Sequence, residues 1–211
     1  VINSLTKSMA IDHWKSMYLA QKNFSIMPIS HTKSFDTPYW ITILEDFKDH
    51  FNEDMITYVH GLKDKEEGRE LSNEGGWQST LLPLEDFNIF FNEVYKIVKK
   101  LNLGVENMKV DQLWMNINRK GDWNQMHLHS GQYDLCGNYY IKAPSNCGRL
   151  VFKDPRPAAT GSMFLLTRYE DYVFHKIEPK ESMLVLFPPY LEHMVEPSKT
   201  DEERISIAFD L

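Results

Sequence analysis

The sequence predicts a mainly β fold with α-helices packed on one outer face. Apolar residues recur at helical spacing in the first half of the chain, whereas they alternate with polar residues in the second half. The strand-type segments of the second half follow one another without intervening helices, so a parallel sheet is not expected. Helices followed by many short strands are typical of a β-sandwich or barrel covered by helices.

Two amphipathic helices are predicted in the first half. The first begins at Thr37-Pro38, with Thr as N-cap and Pro at the first helical position, and ends in the polar stretch 61–70. The second runs from about Leu84 to Leu103 and stops at Gly104. Each has a one-sided apolar stripe: Trp40, Ile43, Leu44, Phe47, Phe51 and Met55 in the first, and Phe87, Phe90, Phe91, Val94, Ile97, Val98 and Leu101 in the second.

Short strands are predicted after residue 104, where turn residues such as Lys120-Gly121-Asp122 separate alternating segments. A chain of 211 residues can bury one substantial core. We therefore expect a single domain over residues 1–211, mainly helical over 1–105 and mainly β over 106–211. The predicted strands are Val110–Asn118, Leu135–Lys142, Arg149–Lys153, Asp171–Ile177, Met183–Phe187 and Arg204–Leu211.

Composition and charge exclude several classes of protein. Hydrophobic residues make up 42% of the chain and charged residues 25%, which excludes wholesale disorder. The net charge of -7 argues against a nucleic-acid binder, and no apolar run approaches the ~20 residues of a membrane span. Cys136 and Cys147 are too few for a disulfide scaffold and predict free thiols. With no signal peptide or lipidation motif visible, we expect a cytoplasmic protein, or one in the host-cell cytoplasm if viral.

Three of the eight histidines form a candidate metal site. His127 and His129 are separated by one residue, and in a strand such residues project to the same face. His193 follows the predicted strand Met183–Phe187 and a Pro-Pro turn, so antiparallel packing could bring it to the same point. Imidazole binds Fe, Zn, Cu or Ni, and three ligands leave coordination positions open for small molecules. An HxH pair alone would more often be two unrelated polar residues.

The last predicted strand alternates strictly between polar and apolar positions. Arg204 and Ser206 share one face with Ala208, and the opposite face is entirely apolar. If the apolar face packs on the core, the guanidinium and the hydroxyl face a polar pocket, where they would bind a carboxylate. The alternative is an edge-strand arginine that reaches solvent. Asn116, on an earlier predicted strand, is a further candidate for contact with a bound ligand.

A wider pattern consists of the segments Ser72–Ser79, Trp123–His129, Gly137–Tyr140, Leu150–Arg156, Leu186–Pro188 with His193, and Glu203–Phe209. Taken in order, these segments resemble the Fe(II)/2-oxoglutarate-dependent oxygenases of the prolyl hydroxylase-like type, and more narrowly a branch found in marine bacteria and phages. The resemblance covers about residues 30–211 and gives residues 1–22 no role. Several motifs in register make it more specific than any single motif.

The resemblance implies a double-stranded β-helix, the jelly-roll, cupin-like core whose mouth binds Fe(II), 2-oxoglutarate and O2. His127 and His193 correspond to the two histidine ligands of iron. Arg204 and Ser206 correspond to the pair that binds the distal carboxylate of 2-oxoglutarate. Tyr140 resembles the strand tyrosine that hydrogen-bonds the same carboxylate in prolyl hydroxylase-like members.

His129 departs from the wider superfamily, which has Asp or Glu at this position and therefore a triad of two histidines and one carboxylate. An imidazole carries no negative charge, so the Fe(II) site would be one unit more positive. We expect His129 to be the third ligand, since HxH is usual in this branch. Asp122 and Asp134 flank the HxH pair and are the alternative carboxylate ligands. In that case His129 would not bind the metal and would instead contact the ligands.

The sequence thus predicts a non-haem Fe(II) dioxygenase that couples oxidative decarboxylation of 2-oxoglutarate to hydroxylation of a small molecule or a peptide, with a prolyl or other amino-acid side chain as the first analogy. Two alternatives stay open. One is a three-histidine cupin-type metalloenzyme that does not use 2-oxoglutarate, and the other is a non-catalytic jelly-roll binding module. The loops that bind substrate vary freely on this fold, so the sequence does not identify the substrate. The oligomeric state is open as well, a homodimer included.

Overall fold

The computed structural model describes residues 37–103, 108–156 and 173–211. These described residues form one compact unit. Its strands are β1 (Trp40–Ile43), β2 (Asn73–Glu74), β3 (Trp77–Gln78), β4 (Gln112–Asn118), β5 (Trp123–His127), β6 (Cys136–Lys142), β7 (Leu150–Lys153), β8 (Phe174–Ile177), β9 (Met183–Phe187), β10 (His193–Val195) and β11 (Arg204–Asp210). Its helices are α1 (Phe51–Lys63) and α2 (Asn88–Leu101).

The strands form two antiparallel sheets. The larger sheet has six strands in the order β1-β9-β6-β11-β4-β3, and the smaller has five in the order β2-β5-β10-β7-β8. Side chains of both sheets meet in one apolar cluster, in which Phe152 of the smaller sheet contacts Phe187 of the larger at 5.0 Å between ring centroids. The two packed sheets are the double-stranded β-helix that the sequence predicts.

The two helices cover the outer face of the larger sheet. Phe90 and Phe91 of α2 meet Phe209 of β11 edge-on, with ring centroids 5.8 and 5.4 Å apart. Phe51 of α1 stacks on Phe90 at 5.7 Å. The Phe209 ring lies directly over Gly137 of β6, where a Cβ would come within 2.1 Å of the ring. This side of the sheet is therefore a closely packed aromatic core, and larger residues at position 137 do not fit.

The predicted strands are confirmed with small shifts at their ends. Met183–Phe187 is reproduced in full as β9, and the predictions around it correspond to β4, β6, β7 and β11. The predicted strand Asp171–Ile177 is observed from Phe174 as β8, while residues 171 and 172 lie outside the described residues. Sequence patterning missed β1, β2, β3, β5 and β10, which have two to five residues each.

The first predicted helix is wrong over its first half. Residues Trp40–Ile43 form β1, which pairs with β9 at the edge of the larger sheet. The β-branched residues of this segment suit a strand, and β9 offers backbone hydrogen bonds that outweigh the local helical signal at Thr37-Pro38. A 3₁₀ turn over Glu45–Phe47 follows, and the helix begins only at Phe51.

The second predicted helix is confirmed. A 3₁₀ turn over Leu84–Phe87 leads into α2, which buries Phe90, Phe91, Val94 and Val98. Its end is marked by Asn102, which adopts the left-handed conformation at φ 51° that glycine or asparagine favours. Gly104, the predicted stop, lies outside the described residues.

The prediction of one domain over residues 1–211 stays a prediction, because residues 1–36 lie outside the described part. The described part of residues 1–105 contains both helices but also three short strands, so it is less purely helical than predicted. No helix among the described residues is long and apolar enough to cross a membrane. Cys136 and Cys147 are free and buried, as the cysteine count predicts.

Candidate active site

A cavity of about 520 Å³ opens between the two sheets. Strand β11 supplies one wall of it, through the alternating side chains of Arg204, Ser206, Ala208 and Asp210. The intervening residues of β11 belong to the helix-covered core on the other face. The strict alternation of this strand therefore separates a polar wall from an apolar one, as the sequence predicts.

His127, His129 and His193 converge at this cavity. Their candidate ligand atoms all lie within 4.8 Å of one another. The ring centroids of His127 and His193 are 4.3 Å apart, and His129 lies 5.5 and 5.2 Å from these two rings. Three imidazoles at this spacing can bind one metal ion.

Two different structural features bring the histidines together. His127 ends β5 and pairs directly with His193, the first residue of β10, so antiparallel pairing places these two rings side by side. His129 lies beyond the end of β5, and its backbone N–H donates a hydrogen bond to the carbonyl oxygen of Pro189 at 3.2 Å. The turn after β9 thus positions His129, rather than strand alternation alone.

Backbone carbonyls orient two of the rings. Nδ1 of His127 lies 2.7 Å from the carbonyl oxygen of Gln125, and Nδ1 of His193 lies 2.9 Å from that of Leu191. A carbonyl oxygen only accepts hydrogen bonds, so each Nδ1 carries the proton and donates it. The Nε2 atom of each ring keeps its lone pair, which is the arrangement of a metal-binding histidine.

A carboxylate orients the third ring. Nδ1 of His129 lies 2.6 Å from Oδ1 of Asp210, whose side chain is almost completely buried. Sγ of the buried Cys136 lies 3.2 Å from the same nitrogen. Burial first, and then the charge of Asp210, raises the pKa of the Cys136 thiol, so this sulfur stays protonated. His129 therefore has a carboxylate partner behind it, in contrast to the other two histidines.

Burial keeps two of the histidines neutral. It lowers the pKa of His193 from its ordinary 6.5 to about 3, and the proximity of His127 acts in the same direction. Burial also lowers the pKa of His127, while the hydrogen bond to Gln125 opposes the shift. Neutral imidazole is the form that binds metal ions, so both rings are ready for coordination at neutral pH.

Arg204 is a buried cation at another part of the same cavity. Its side chain is 2% exposed, and Nη2 donates a hydrogen bond to Oδ1 of Asn118 at 2.7 Å. Its Nε atom has no hydrogen-bond partner, and it forms no ion pair with a carboxylate within the described ranges. Burial lowers the pKa of Arg204, but a guanidinium still stays charged at neutral pH. A buried charge without a counter-ion is costly, so this site suits an anionic ligand.

Ser206, Asn116 and Tyr140 stand next to one another across three neighbouring strands. Ser206 of β11 pairs with Asn116 of β4 on one side and with Tyr140 of β6 on the other. Ser206 and Asn116 line the cavity, whereas Tyr140 is fully buried behind its wall. The Tyr140 hydroxyl has no hydrogen-bond partner among the described residues. Burial raises the pKa of Tyr140 to about 12, and the charge of Arg204 acts in the opposite direction, so the hydroxyl stays protonated and can donate.

The two flanking carboxylates suggested by the sequence lie elsewhere. Oδ2 of Asp122 accepts a hydrogen bond from the backbone N–H of Arg119 at 2.7 Å, and Oδ1 packs against Gly75, which has a positive φ. The side chain of Asp134 is exposed. Neither residue belongs to a group of potential metal ligands in the described part of the chain. Their positions favour structural roles.

Sequence reasoning missed two residues of the site. Asp210 continues the alternation of Arg204, Ser206 and Ala208 by one further step, so the pattern itself could have placed it on the cavity wall. Trp114 of β4 also lines the cavity, and its ring centroid lies 5.8 Å from that of His129. An isolated tryptophan within a strand gives no sequence signal that separates a site residue from a packing residue.

Comparison with known proteins agrees with this geometry. Residues 112–210 match the family described as "Putative 2OG-Fe(II) oxygenase". No curated protein matches the sequence. Among solved structures, a prolyl-4-hydroxylase from Pseudomonas putida has a TM-score of 0.58 at 14% identity, with 82% of this chain and 91% of that chain covered.

Two further solved structures show the same fold. The viral collagen prolyl hydroxylase of Paramecium Bursaria Chlorella virus-1, in its 2OG complex, has a TM-score of 0.55 at 14% identity over 82% of this chain and 94% of that chain. A prolyl hydroxylase of Trichoplax adhaerens, in complex with a peptide fragment of the hypoxia inducible factor oxygen degradation domain, has a TM-score of 0.58 at 13% identity over 99% and 93%. At these identities the likeness establishes the double-stranded β-helix.

Proposed function

We propose the roles of the site residues and the class of the substrate from the match of residues 112–210 to the 2OG-Fe(II) oxygenase family. His127, His129 and His193 hold Fe(II). Arg204 and Ser206, with Tyr140 behind them, bind the distal carboxylate of 2-oxoglutarate. When bound, iron with 2-oxoglutarate supplies the oxidising chemistry that uses O2 to hydroxylate a substrate C–H bond.

The proposal depends on the guanidinium of Arg204, which has no carboxylate partner among the described residues and no hydrogen-bond partner at Nε. Three converging histidines alone would equally suit a cupin-type enzyme without 2-oxoglutarate. A buried cation in the same cavity, with a free Nε and a neighbouring unpartnered Tyr140 hydroxyl, calls for an anion that accepts several hydrogen bonds. The distal carboxylate of 2-oxoglutarate meets this requirement, and the three histidines line the same cavity as Arg204.

The surrounding residues hold these groups in position. Asn118 accepts from Arg204 and fixes the plane of the guanidinium. The carbonyl oxygens of Gln125 and Leu191 hold two imidazoles with Nε2 available for the metal. Because the partners are backbone atoms or buried side chains, little reorganisation is needed when the ligands bind.

For the substrate, we propose an amino-acid side chain presented within a peptide. Uncharged amide side chains also line the cavity, among them Gln112, Asn124 and Gln125. An amide both donates and accepts, so it can pair with peptide N–H and C=O groups alike. Leu71 and Leu128 are cavity residues with 66% and 48% exposure, and they would cover apolar parts of the substrate. The peptide complex of the Trichoplax relative is consistent with this class of substrate.

The test of the proposed roles is an anaerobic titration of the metal-free protein with Fe(II) and 2-oxoglutarate. Chelation of iron by the keto-acid produces a visible metal-to-ligand charge-transfer band. We expect the band in the wild type and its loss in His193→Ala. In Arg204→Met we expect about 100-fold weaker binding of 2-oxoglutarate, which corresponds to about 2.7 kcal/mol. Arg119→Met is the matched control, because Arg119 is exposed and pairs with Glu203 outside the cavity.

Each alternative function gives a different outcome. If Fe(II) binds and no band forms, the roles assigned to Arg204 and Tyr140 fail and the three-histidine enzyme without 2-oxoglutarate takes precedence. If no metal binds, the chain is a non-catalytic jelly-roll binding module. If the band forms but proline-containing peptides do not stimulate succinate release above that of small amino acids, the peptide substrate is wrong while the cofactor assignment stands.

A further inference from the structure

The carboxylate behind His129 is a feature to which the proposed function gives no role. Asp210 is 3% exposed, and its side-chain oxygen lies 2.6 Å from Nδ1 of His129. Among the described residues, no lysine or arginine forms an ion pair with it. A buried carboxylate without a cation is unfavourable, and a cation bound on the far side of His129 would offset its charge.

The Asp210–His129 pair adjoins the histidine triad, because His129 belongs to both. The candidate ligand group of His127, His129 and His193 shares His129 with a second group made of His129, Cys136 and Asp210. Only one of the three imidazoles therefore has an anion behind it, and it is the one that stands where the wider superfamily has a carboxylate ligand. The other two rings have neutral backbone carbonyls at Nδ1.

We propose that Asp210 is a positioning residue that supplies, through His129, the negative charge that the HxH motif lacks at the metal. The inference rests on the proposed function, in which His129 is an iron ligand. Asp210 accepts the Nδ1 proton of His129, which orients the ring, fixes Nε2 as the metal-binding atom and makes the imidazole a stronger electron donor. The Asp210–His129 pair thereby takes the place of a directly bound carboxylate.

The buried surroundings make this charge effective. Cys136 is completely buried beside the pair, and Trp114 covers the His129 ring at 5.8 Å between centroids. Solvent screening is weak in such surroundings, so the carboxylate acts on the metal position more strongly than an exposed one at the same distance. Asp111 provides a comparison for the effect of burial. Its backbone N–H donates a hydrogen bond to the carbonyl oxygen of Asp210 at the end of β11, but the Asp111 residue is exposed.

The first test is the affinity for Fe(II) alone, measured by anaerobic calorimetry. Asp210→Asn keeps the size of the side chain and removes its charge, and we expect 10- to 100-fold weaker Fe(II) binding. Asp111→Asn removes the same charge from the exposed position and should stay within twofold of the wild type. An unchanged affinity in Asp210→Asn would overturn the proposal.

The second test is the energy of the charge-transfer band with 2-oxoglutarate bound. Loss of the negative charge makes Fe(II) harder to oxidise, so the band of Asp210→Asn should move to shorter wavelength. Asp210→Glu retains the charge and should bring the band back towards its wild-type position, which a purely structural role would not do. A band that stays in place in Asp210→Asn overturns the inference.

A third measurement does not depend on metal. In the metal-free protein, nitrogen-15 NMR should show the His129 proton on Nδ1 in the wild type and a mixture of tautomers in Asp210→Asn. A mixture already present in the wild type contradicts the role of Asp210. Failure of the proposed function would give a different result. The wild type would then bind Fe(II) without forming the charge-transfer band with 2-oxoglutarate. The Fe(II) affinities of the Asp210 variants would still test the role of Asp210.

Discussion

The two faces of β11 are both largely buried but opposite in chemistry. Towards the helices, Ile205, Ile207 and Phe209 pack in the aromatic core. Towards the cavity, the strand begins with the buried cation Arg204 and ends with the buried anion Asp210, six residues and about 20 Å further along. One face therefore supplies folding free energy, while the other holds an arginine with no carboxylate partner and an aspartate with no lysine or arginine partner among the described residues.

This difference separates stability from function within one strand. Burial of apolar surface stabilises the fold without a ligand. Buried charges and unpartnered polar groups oppose folding, and their cost is offset when a ligand of opposite charge binds. We therefore expect substitutions on the helix face to destabilise the fold and leave ligand affinity intact, whereas substitutions on the cavity face should mainly weaken ligand binding.

The largest effect on stability is expected for Phe209→Ala. Removal of this fully buried ring, which contacts Phe90 and Phe91, leaves a cavity in the aromatic core. We expect a loss of about 3–5 kcal/mol in the free energy of unfolding, measured by urea denaturation. Ile89→Ala, at a position of α2 that is 73% exposed, should change it by less than about 0.5 kcal/mol. Equal effects of the two substitutions would contradict the role of the helix face.

An intermediate effect on stability is expected when the metal-free protein is acidified, because His193 in the cavity is held neutral by burial. The pKa of His193 is lowered to about 3 in the folded state, below the ordinary 6.5 that the unfolded chain retains. The contribution of His193 to the free energy of unfolding is therefore fully present above pH 6.5. It is lost as the pH falls towards 3, because in this range only the unfolded state takes up the proton. Between pH 7 and pH 5 one such group costs roughly 2 kcal/mol.

The variant His193→Gln isolates this contribution. Urea denaturation at pH 7 and pH 5 should show a smaller loss on acidification in the variant than in the wild type. The loss should not vanish, because the pKa of His127 is also lowered by burial. If both proteins lose the same free energy, His193 is not buried as a neutral group.

The smallest effect is expected for Glu203→Gln, one residue before Arg204. Glu203 accepts a hydrogen bond from Nε of Arg119 at 3.0 Å and contacts His60 of α1 at 3.1 Å. Arg119 is 61% exposed, so the ion pair is screened by solvent. We expect less than about 1 kcal/mol of destabilisation, which 1 M salt should reduce further. A larger effect would mean that neighbouring charges inside and outside the cavity act as one network.

Much of the fold and site could be predicted from local patterns. The alternation of β11 places Arg204 and Ser206 on one wall, and the stripe of α2 identifies Phe90 and Phe91 as core residues. These predictions succeed because side-chain direction repeats every two residues in a strand and about every 3.6 in a helix. The first helix fails over Trp40–Ile43, because pairing with the edge of β9 is a non-local interaction that outweighs helical spacing.

The sequence by itself determined which chemical groups are present and which of them share a face. Only the tertiary structure decided that His193 pairs with His127, that Asn118 holds Arg204, and that Asp210 stands behind His129. The physical reason is that these contacts join strands separated by more than sixty residues. Their register depends on the packing of two whole sheets, which no local periodicity encodes.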